Sequence, residues 1–340
     1  MGFRVGLTYN VKTEYVFRPG DPPDANAEYD HEDTIGVIER ALRGGGHEVV
    51  RLGSPKMLLA NNGAPNVDII FNIAEGEGGR NRESQAPILM EMFHIPYVGA
   101  DGLTLGLTLD KITTKKVLIA EGIPTAKFAE LRDPEDVWKV DLGYPLIVKP
   151  RYEGSSKGVS ESSLVNNAQE LHRQVKWLVD TYKQPALVEA FIEGTEFTVP
   201  ILGNDPPQAQ AVFQIQLEGK LDLGRLFYTF ARIRNGSSYV CPAPVDEALR
   251  QRIADIALAT YRVVECRDFG RVDIRVDRAG NPYVLEINPL PSLSTEDVYA
   301  LLAKLQGISY EAMLNRVLDI ALVRHGMKTK EEVVVPSAMF

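Results

Sequence analysis

The chain has 340 residues, 44 % hydrophobic and 24 % charged, with a net charge of −9 and a pI near 5.2. This is the composition of a globular protein too long for one ordinary core, so two or three domains are expected. The acidic balance argues against a nucleic-acid partner, and two cysteines without CxxC spacing, Cys241 and Cys266, argue against a disulfide framework or a thiolate metal site. With no signal-peptide pattern and no window long enough to span a membrane, a cytoplasmic setting is the default.

In chain order, FRVGLTY (3–9), EVVRL (48–52) and VDIIFNI (67–73) read as short buried strands. Between the first two, Ile35, Ile38, Ala41 and Leu42 recur at helical spacing before a run of glycines. Strands alternating with a helix predict a small parallel α/β unit. The linker 12–30 is long, polar and Pro-rich, which marks it as functional or mobile. Helices are expected at about 83–94 and 108–121, and a strand at PLIVKP (145–150). The segment 168–182 aligns Leu171, Val175, Leu178, Val179 and Tyr182 on one helical face. Extended structure resumes over 186–202, and 245–264 reads as a long amphipathic helix with Asp246 as its N-cap. Helices at 296–305 and 309–326 close the chain before a weakly structured tail.

RVDIRVDRAGNPYVLEINP (271–289) reads as a β-hairpin with Arg278–Asn281 as its loop. Strand alternation then gives one aliphatic face, with Val272 opposite Ile287 and Ile274 opposite Leu285. On the other face Asp273 opposes Glu286 and Arg271 opposes Asn288. Opposed Cβ atoms lie about 4.5–5.5 Å apart, where two carboxylates repel unless a cation sits between them. Two carboxylates and an amide oxygen are hard ligands suited to Mg2+. A solvated face neutralised by Arg271 is the plainer alternative.

GSSKG (154–158) follows the strand that ends in Lys149, and loops of this kind close backbone N–H groups and hydroxyls around phosphate. It is not a Walker A motif, which occurs nowhere in the chain. Lys111 and Lys149 are candidate phosphate contacts, and Glu189 and Glu196 flank a bend where acids can receive an adenine amino group and ribose hydroxyls. No hydrolase pattern is present, and His94 and His325 read as structural.

Taken together and in order, Lys111, Lys149, GSSKG, VEAFIEGTE, CPAPVDE, GRVD and LEINPLP resemble an ATP-grasp enzyme of the D-alanine–D-alanine ligase type over about residues 65–320. The resemblance implies an α/β (α+β ATP-grasp) fold with three domains. These are an N-terminal α/β domain (1–106), a central ATP-grasp subdomain with the phosphate lid (107–200) and a C-terminal subdomain with the metal site (201–340). It implies that Asp273, Glu286 and Asn288 hold two Mg2+ ions, a role Mn2+ can also fill, and that Arg271 steadies the tetrahedral intermediate. Lys111, Lys149, Glu153, Gly154, the hinge Glu189-Ala190-Phe191-Ile192 and the ribose acid Glu196 would bind ATP beneath the lid serines Ser155 and Ser156. The implied activity joins a small carboxylate to an amine, the implied substrates being amino acids, through an acyl phosphate. The implied assembly is a homodimer, with no nucleic acid and no membrane involved. A nucleotide-binding sensor that kept the fold without catalysis is the alternative.

The departures from the family pattern concern the substrates. Glu75, in IAEGEGGRNRES (73–84), stands where the family has a histidine, and Arg80 and Arg82 beside it would either meet an anionic substrate group or be solvated. The mobile loop's lysine-tyrosine pair is replaced by Arg232-Ile233, with Arg232 as a γ-phosphate contact. Asp297, in SLSTED, stands where a serine would receive the acceptor's carboxylate, and an aspartate there favours an amine or hydroxyl-bearing acceptor. Glu28 matches the glutamate that holds the first substrate's ammonium group, with Asp30 nearly as good.

Overall fold

The computed structural model describes residues 2–61, 63–235 and 237–330, the side chains of 233–235 excepted. The Ile233 side chain and the tail beyond residue 330 therefore lie outside the described residues.

The first unit comprises β1 (Arg4–Tyr9), α1 (Glu32–Gly44), β2 (Glu48–Gly53), α2 (Pro55–Ala60), β3 (Ile69–Ile73), α3 (Gln85–Met92), β4 (Tyr97–Val98) and α4 (Gly102–Leu109). Its four strands are parallel, in the order β2-β1-β3-β4. The second comprises α5 (Lys111–Ala120), β5 (Phe128–Leu131), β6 (Leu146–Pro150), β7 (Leu164–Val165), α6 (Ala168–Tyr182) and β8 (Ala186–Ala190), with an antiparallel sheet ordered β5-β8-β6-β7. The third comprises β9 (Gly194–Leu202), β10 (Gln208–Ala209), β11 (Phe213–Leu217), α7 (Phe230–Asn235), β12 (Ser237–Val240), α8 (Glu247–Val263), β13 (Phe269–Asp277), β14 (Pro282–Asn288), α9 (Val298–Leu305) and α10 (Tyr310–Arg324). Its sheet runs β12-β11-β9-β13-β14, with β10 paired to β9. No helix among the described residues is long and apolar enough to cross a membrane.

Local chemistry sets the element ends that matter for the cleft. The helix expected over 108–121 is α5; an unexpected α4 precedes it and ends before Asp110, whose carboxylate accepts from Thr113 N and caps α5. The same carboxylate receives Arg151 Nε and Nη2, both at 2.6 Å, in a bidentate pair that is fully buried on the aspartate side. That pair ties the start of α5 to the end of β6 and so fixes Lys111 relative to Lys149. Helix α6 starts on Asn167, which accepts from Glu170 N, and ends at Lys183 in the left-handed region. Its buried residues Leu171, Val175 and Leu178 cover β6 and β8, with Val179 and Tyr182 partly buried beside them.

The hairpin departs from its expected register at one place. Arg271–Asn288, Val272–Ile287 and Asp273–Glu286 pair as anticipated, but Ile274 then pairs with Val284 rather than Leu285. A β-bulge leaves Leu285 as the extra residue. The cause lies in the neighbouring chain: Thr125 Oγ1 donates to Val284 O and Val284 N donates to Pro124 O, both at 2.8 Å. Val284, fully buried, takes the core position, and Leu285 turns into the cleft beside Glu286. Val272, Ile274, Val276, Val284 and Ile287 then pack on Ile253, Ala254, Ala257 and Tyr261 of α8.

The last helices return to the first sheet. Met313, Leu314, Val317 and Leu318 of α10 share a core with Ile35, Ile38 and Leu42 of α1. Arg324 clasps Asp268 at 2.7 Å and donates to Tyr97 O, joining the first and third units directly. His325, expected to be structural, sits 3.0 Å from that same carbonyl.

Candidate active site

A cavity of about 780 Å3 lies between the second and third sheets and reaches the C-terminal end of β3 at Ile73. At one end Glu189, only 2 % exposed, receives Lys149 Nζ at 3.0 Å and Lys115 Nζ at 2.5 Å. Burial alone would raise this carboxyl, but the two ammonium groups more than offset it and hold it at about 2. Beyond it, Ala190, Phe191 and Ile192 link β8 to β9. Phe191 packs with Ile147, Val159 and Phe227, and with Leu285 these side chains make an apolar slot. Arg275 stacks over the Phe191 ring at 4.6 Å and donates to Glu196 at 3.2 Å.

The polar face of the hairpin borders this slot. Asp273 accepts from Thr198 Oγ1 at 2.6 Å and Asn288 Nδ2 at 3.0 Å, and Arg271 Nε lies 3.2 Å from it. Glu286 has Lys111 Nζ at 3.6 Å. Burial raises the Asp273 carboxyl. Burial also acts on Glu286, but Lys111, Lys149 and Arg271 outweigh it and lower that group. Arg271 and Lys111 thus each set a positive charge beside one of the opposed acids. Two carboxylates and the Asn288 side-chain oxygen, whose amide nitrogen alone is engaged with Asp273, form a hard donor set that fits Mg2+ or Mn2+.

The loop 154–158 overhangs the platform with Ser155 and Ser156 both in the left-handed region, at φ 48° and 54°. Such conformations cost on the order of 1 kcal/mol each and persist only when surrounding contacts impose them. Here the contacts come from the linker 12–30. Glu28 accepts from Gly154 N at 2.6 Å and from Lys157 Nζ at 3.1 Å. Asp24 accepts from Gly158 N at 2.9 Å and Tyr182 Oη at 2.8 Å. Arg82, buried, reaches the same Glu28 at 2.5 Å and donates to Tyr152 O. Burial raises the Glu28 carboxyl, but Arg82 and Lys157 more than reverse this and bring it to about 2. Glu153 completes the knot, accepting from Gln184 at 2.8 Å and paired with Lys157.

The remaining wall is acidic. Carboxylate oxygens of Glu28, Glu75 and Glu83 gather within 4.8 Å of one another. Glu75 and Glu83 line the cavity without a side-chain hydrogen bond among the described residues; burial raises both, helped by the charge of Glu83 on Glu75 and of Glu28 on Glu83, which reaches about 7. Asp30 also faces the cavity without a side-chain hydrogen bond, and burial raises it to about 7. Asp297 caps α9, accepting from Val298 N at 2.6 Å, and lies 3.5 Å from Arg271 Nη1.

The profile described as "D-ala D-ala ligase C-terminus" matches residues 117–319 of the chain. The D-alanine–D-alanine ligase of Carboxydothermus hydrogenoformans is 33 % identical over 298 residues, covering 84 % of this chain and 91 % of that one. The chain belongs to the D-alanine–D-alanine ligase family. It is thereby an ATP-grasp ligase, of the class that joins a carboxylate to an amine at the expense of ATP. A protein named y4sG from Sinorhizobium fredii is 36 % identical over 299 residues, covering 85 % of this chain and 87 % of y4sG. In fold, the D-alanine–D-alanine ligase of Bacillus anthracis superposes with a TM-score of 0.73 at 22 % identity, over 96 % of this chain and all of that one. The same enzyme complexed with ATP gives 0.72. The VanG D-Ala:D-Ser ligase of Enterococcus faecalis gives 0.73 at 20 % identity, over 94 % of this chain and all of that one.

Within this ligase fold, one cleft gathers Lys111, Lys149, Glu153, Gly154, Ser155, Ser156, the hinge 189–192, Glu196, Arg271, Asp273, Glu286, Asn288, Glu28, Glu75 and Asp297. Arg232 is not brought there. Its guanidinium bonds Glu218 at 3.0 Å and Glu161 at 2.8 Å, because both acids lie nearer than the cleft. Nor do Arg80 and Arg82 reach into the substrate space: Arg82 is consumed by Glu28, and Arg80 stands 3.8 Å from Asp110. Sequence reasoning missed Lys115, although it stands one helical turn after Lys111, the i,i+4 spacing that places both on one face. It missed Arg275 too, two residues beyond Asp273 on the same strand face. Lys157 and Asp24, which hold the lid, had no sequence signal of their own.

Proposed function

We propose that this ligase activates an amino-acid carboxylate with ATP and Mg2+ as an acyl phosphate and passes it to an amine, with substrate pockets unlike those for D-alanine dimerisation. The observation that carries the reading is the single cavity that joins the Glu189–Lys149 slot to the Asp273–Glu286–Asn288 platform, with Arg271 at its edge. The apolar slot would hold the base between Phe191 and Leu285, and Glu196 would meet the ribose. Lys111 and Lys149 would neutralise phosphate oxygens. Mg2+ held by Asp273, Glu286 and Asn288 would neutralise charge on the transferring phosphoryl group.

The substrate carboxylate oxygen attacks the γ-phosphorus, ADP leaves, and the acyl phosphate forms beneath Ser155 and Ser156. The amine nitrogen then forms the C–N bond, the carbonyl–phosphate C–O bond breaks, phosphate leaves with the electron pair and the nitrogen loses its proton. Arg271 stabilises the oxyanion that develops between these events. Glu28 is committed to the lid, so the donor's ammonium group is assigned to Glu75 and Glu83, whose carboxylates gather beside it and make no side-chain hydrogen bond among the described residues.

The test is hydroxylamine trapping. Protein, Mg2+ and ATP are incubated with hydroxylamine and a panel of D- and L-amino acids, and hydroxamate and ADP are measured. Hydroxamate from one or a few acids is expected and names the donor. Nucleotide binding without hydroxamate or ADP from any acid would instead support a non-catalytic sensor.

A further inference from the structure

We infer that the acceptor is an amine that carries a second cationic group and no carboxylate, held between Asp30 and Asp297; this rests on the ligase reading of the cleft.

The two acids reach the cavity from different units. Asp30 is fixed through its backbone, its N–H donating to Asn10 O at 3.0 Å and its carbonyl accepting from Lys12 N at 2.9 Å. Asp297 is fixed by capping α9. They stand close enough for the charge of Asp297 to act on Asp30. Although its backbone is pinned, the Asp30 carboxylate makes no hydrogen bond to the described residues. A carboxylate set in a cleft in this way is costly unless a cation meets it there.

Two positive groups stand nearby. Arg271 contacts both Asp273 and Asp297, and Lys12, whose charge acts on Asp30, has its Nζ 3.1 Å from His31 Nε2; burial outweighs Lys12 and leaves the Asp30 carboxyl raised. An acceptor carboxylate entering here would face two aspartates and an arginine that one of them already engages. An ammonium or guanidinium group would instead relieve both acids, with the hydroxyls of Ser292 and Ser294 on the same wall.

The chemistry of attack requires the charge to sit on a second group. The nucleophilic nitrogen must be unprotonated when it adds to the acyl phosphate, so it cannot be the cation that two carboxylates hold. Asp30 and Asp297 therefore select the far end of the acceptor, while Arg271, in contact with Asp297, marks where the near end reacts.

The experiment is calorimetric titration of the protein saturated with Mg2+ and a non-hydrolysable ATP analogue. The probes are a matched series: 1,4-diaminobutane, 4-aminobutan-1-ol and 4-aminobutyrate, repeated with three- and five-carbon chains. The diamine is expected to bind at least about tenfold more tightly than the amino alcohol, and the amino acid more weakly than either. Asp30→Asn and Asp297→Asn should each remove most of the diamine's advantage over the amino alcohol. Asparagine retains the α9 cap, so only charge is altered.

Equal or tighter binding of the amino acids, no diamine binding, or a diamine advantage unchanged in both variants would overturn the inference. Hydroxylamine trapping on the same preparation separates it from the ligase reading. Hydroxamate without diamine preference sinks the acceptor assignment alone. Diamine binding without hydroxamate or ADP from any acid leaves a cation pocket and sinks the ligase reading.

Discussion

In the half of the cleft proposed for the nucleotide, Glu189 has two lysines on it and Glu196 has Arg275. In the substrate half, Asp30, Glu75 and Glu83 face the same cavity with no side-chain hydrogen bond among the described residues. One half is electrostatically complete before any ligand arrives, and the other holds negative charge that a ligand must balance. A preorganised half suits a ligand common to a whole family, whereas unbalanced acids suit a substrate particular to this chain.

If this contrast is right, removing a charge should have opposite effects on the two sides. The largest effect is expected for Lys115→Met, which leaves Glu189 buried with one partner. Breaking a buried pair in this way costs about 3–5 kcal/mol, read as a lower urea midpoint, and nucleotide affinity should fall with it. A variant as stable as wild type would show that the nucleotide half does not depend on this pairing.

Asp30→Asn should act in the other direction. The folded carboxyl titrates at about 7, above the unfolded value near 4, so the protonated form is favoured by folding. Wild-type stability is then undiminished below about pH 4, falls as pH rises through 7, and is constant beyond. Asparagine lacks this loss. The variant should gain on the order of 4 kcal/mol over wild type between pH 4 and 8, measured by urea unfolding across that range. A pH-independent difference would place Asp30 in the balanced half instead.

The smallest effect is expected for Arg232→Ala. Its partners Glu161 and Glu218 are solvent-exposed, so stability should change by no more than about 1 kcal/mol. The KM for ATP should stay within about twofold, since the guanidinium is held by Glu161 and Glu218 and does not line the cleft. A loss of tenfold or more would mean that the loop carries Arg232 inward when nucleotide binds.

The same division explains what the sequence disclosed. Strands, the helix at 168–182 and the facing of Asp273 and Glu286 follow from periodicity, which is local and survives any tertiary context. Helix α4 escaped notice because GLTLGLTL is apolar throughout and rich in glycine and threonine, so it has no clear polar face to reveal a period. The bulge at Leu285 is dictated by Pro124 and Thr125, which are 159 or more residues away and leave no mark on the hairpin's own letters. Glu28 matched a substrate contact by position, but a carboxylate binds whatever donors fold beside it. Arg82, Lys157 and Gly154 arrive from two other segments.

The bulge also changes what an insertion or deletion would do. Along β14 the core-facing residues are even-numbered at Pro282 and Val284 and odd-numbered at Ile287 and Pro289, all of them buried. One residue, Leu285, switches the parity of the strand halfway. Were it deleted, Val284 and Glu286 would fall opposite Ile274 and Asp273 in an ordinary ladder and the platform would keep its facing; were Leu285 kept but paired without the bulge, the glutamate and asparagine would turn toward Ile253 and Tyr261. The orientation of Glu286 and Asn288 thus hangs on a bulge that Pro124 and Thr125 hold from a distant segment, a dependence that point substitution at those two residues would never reveal.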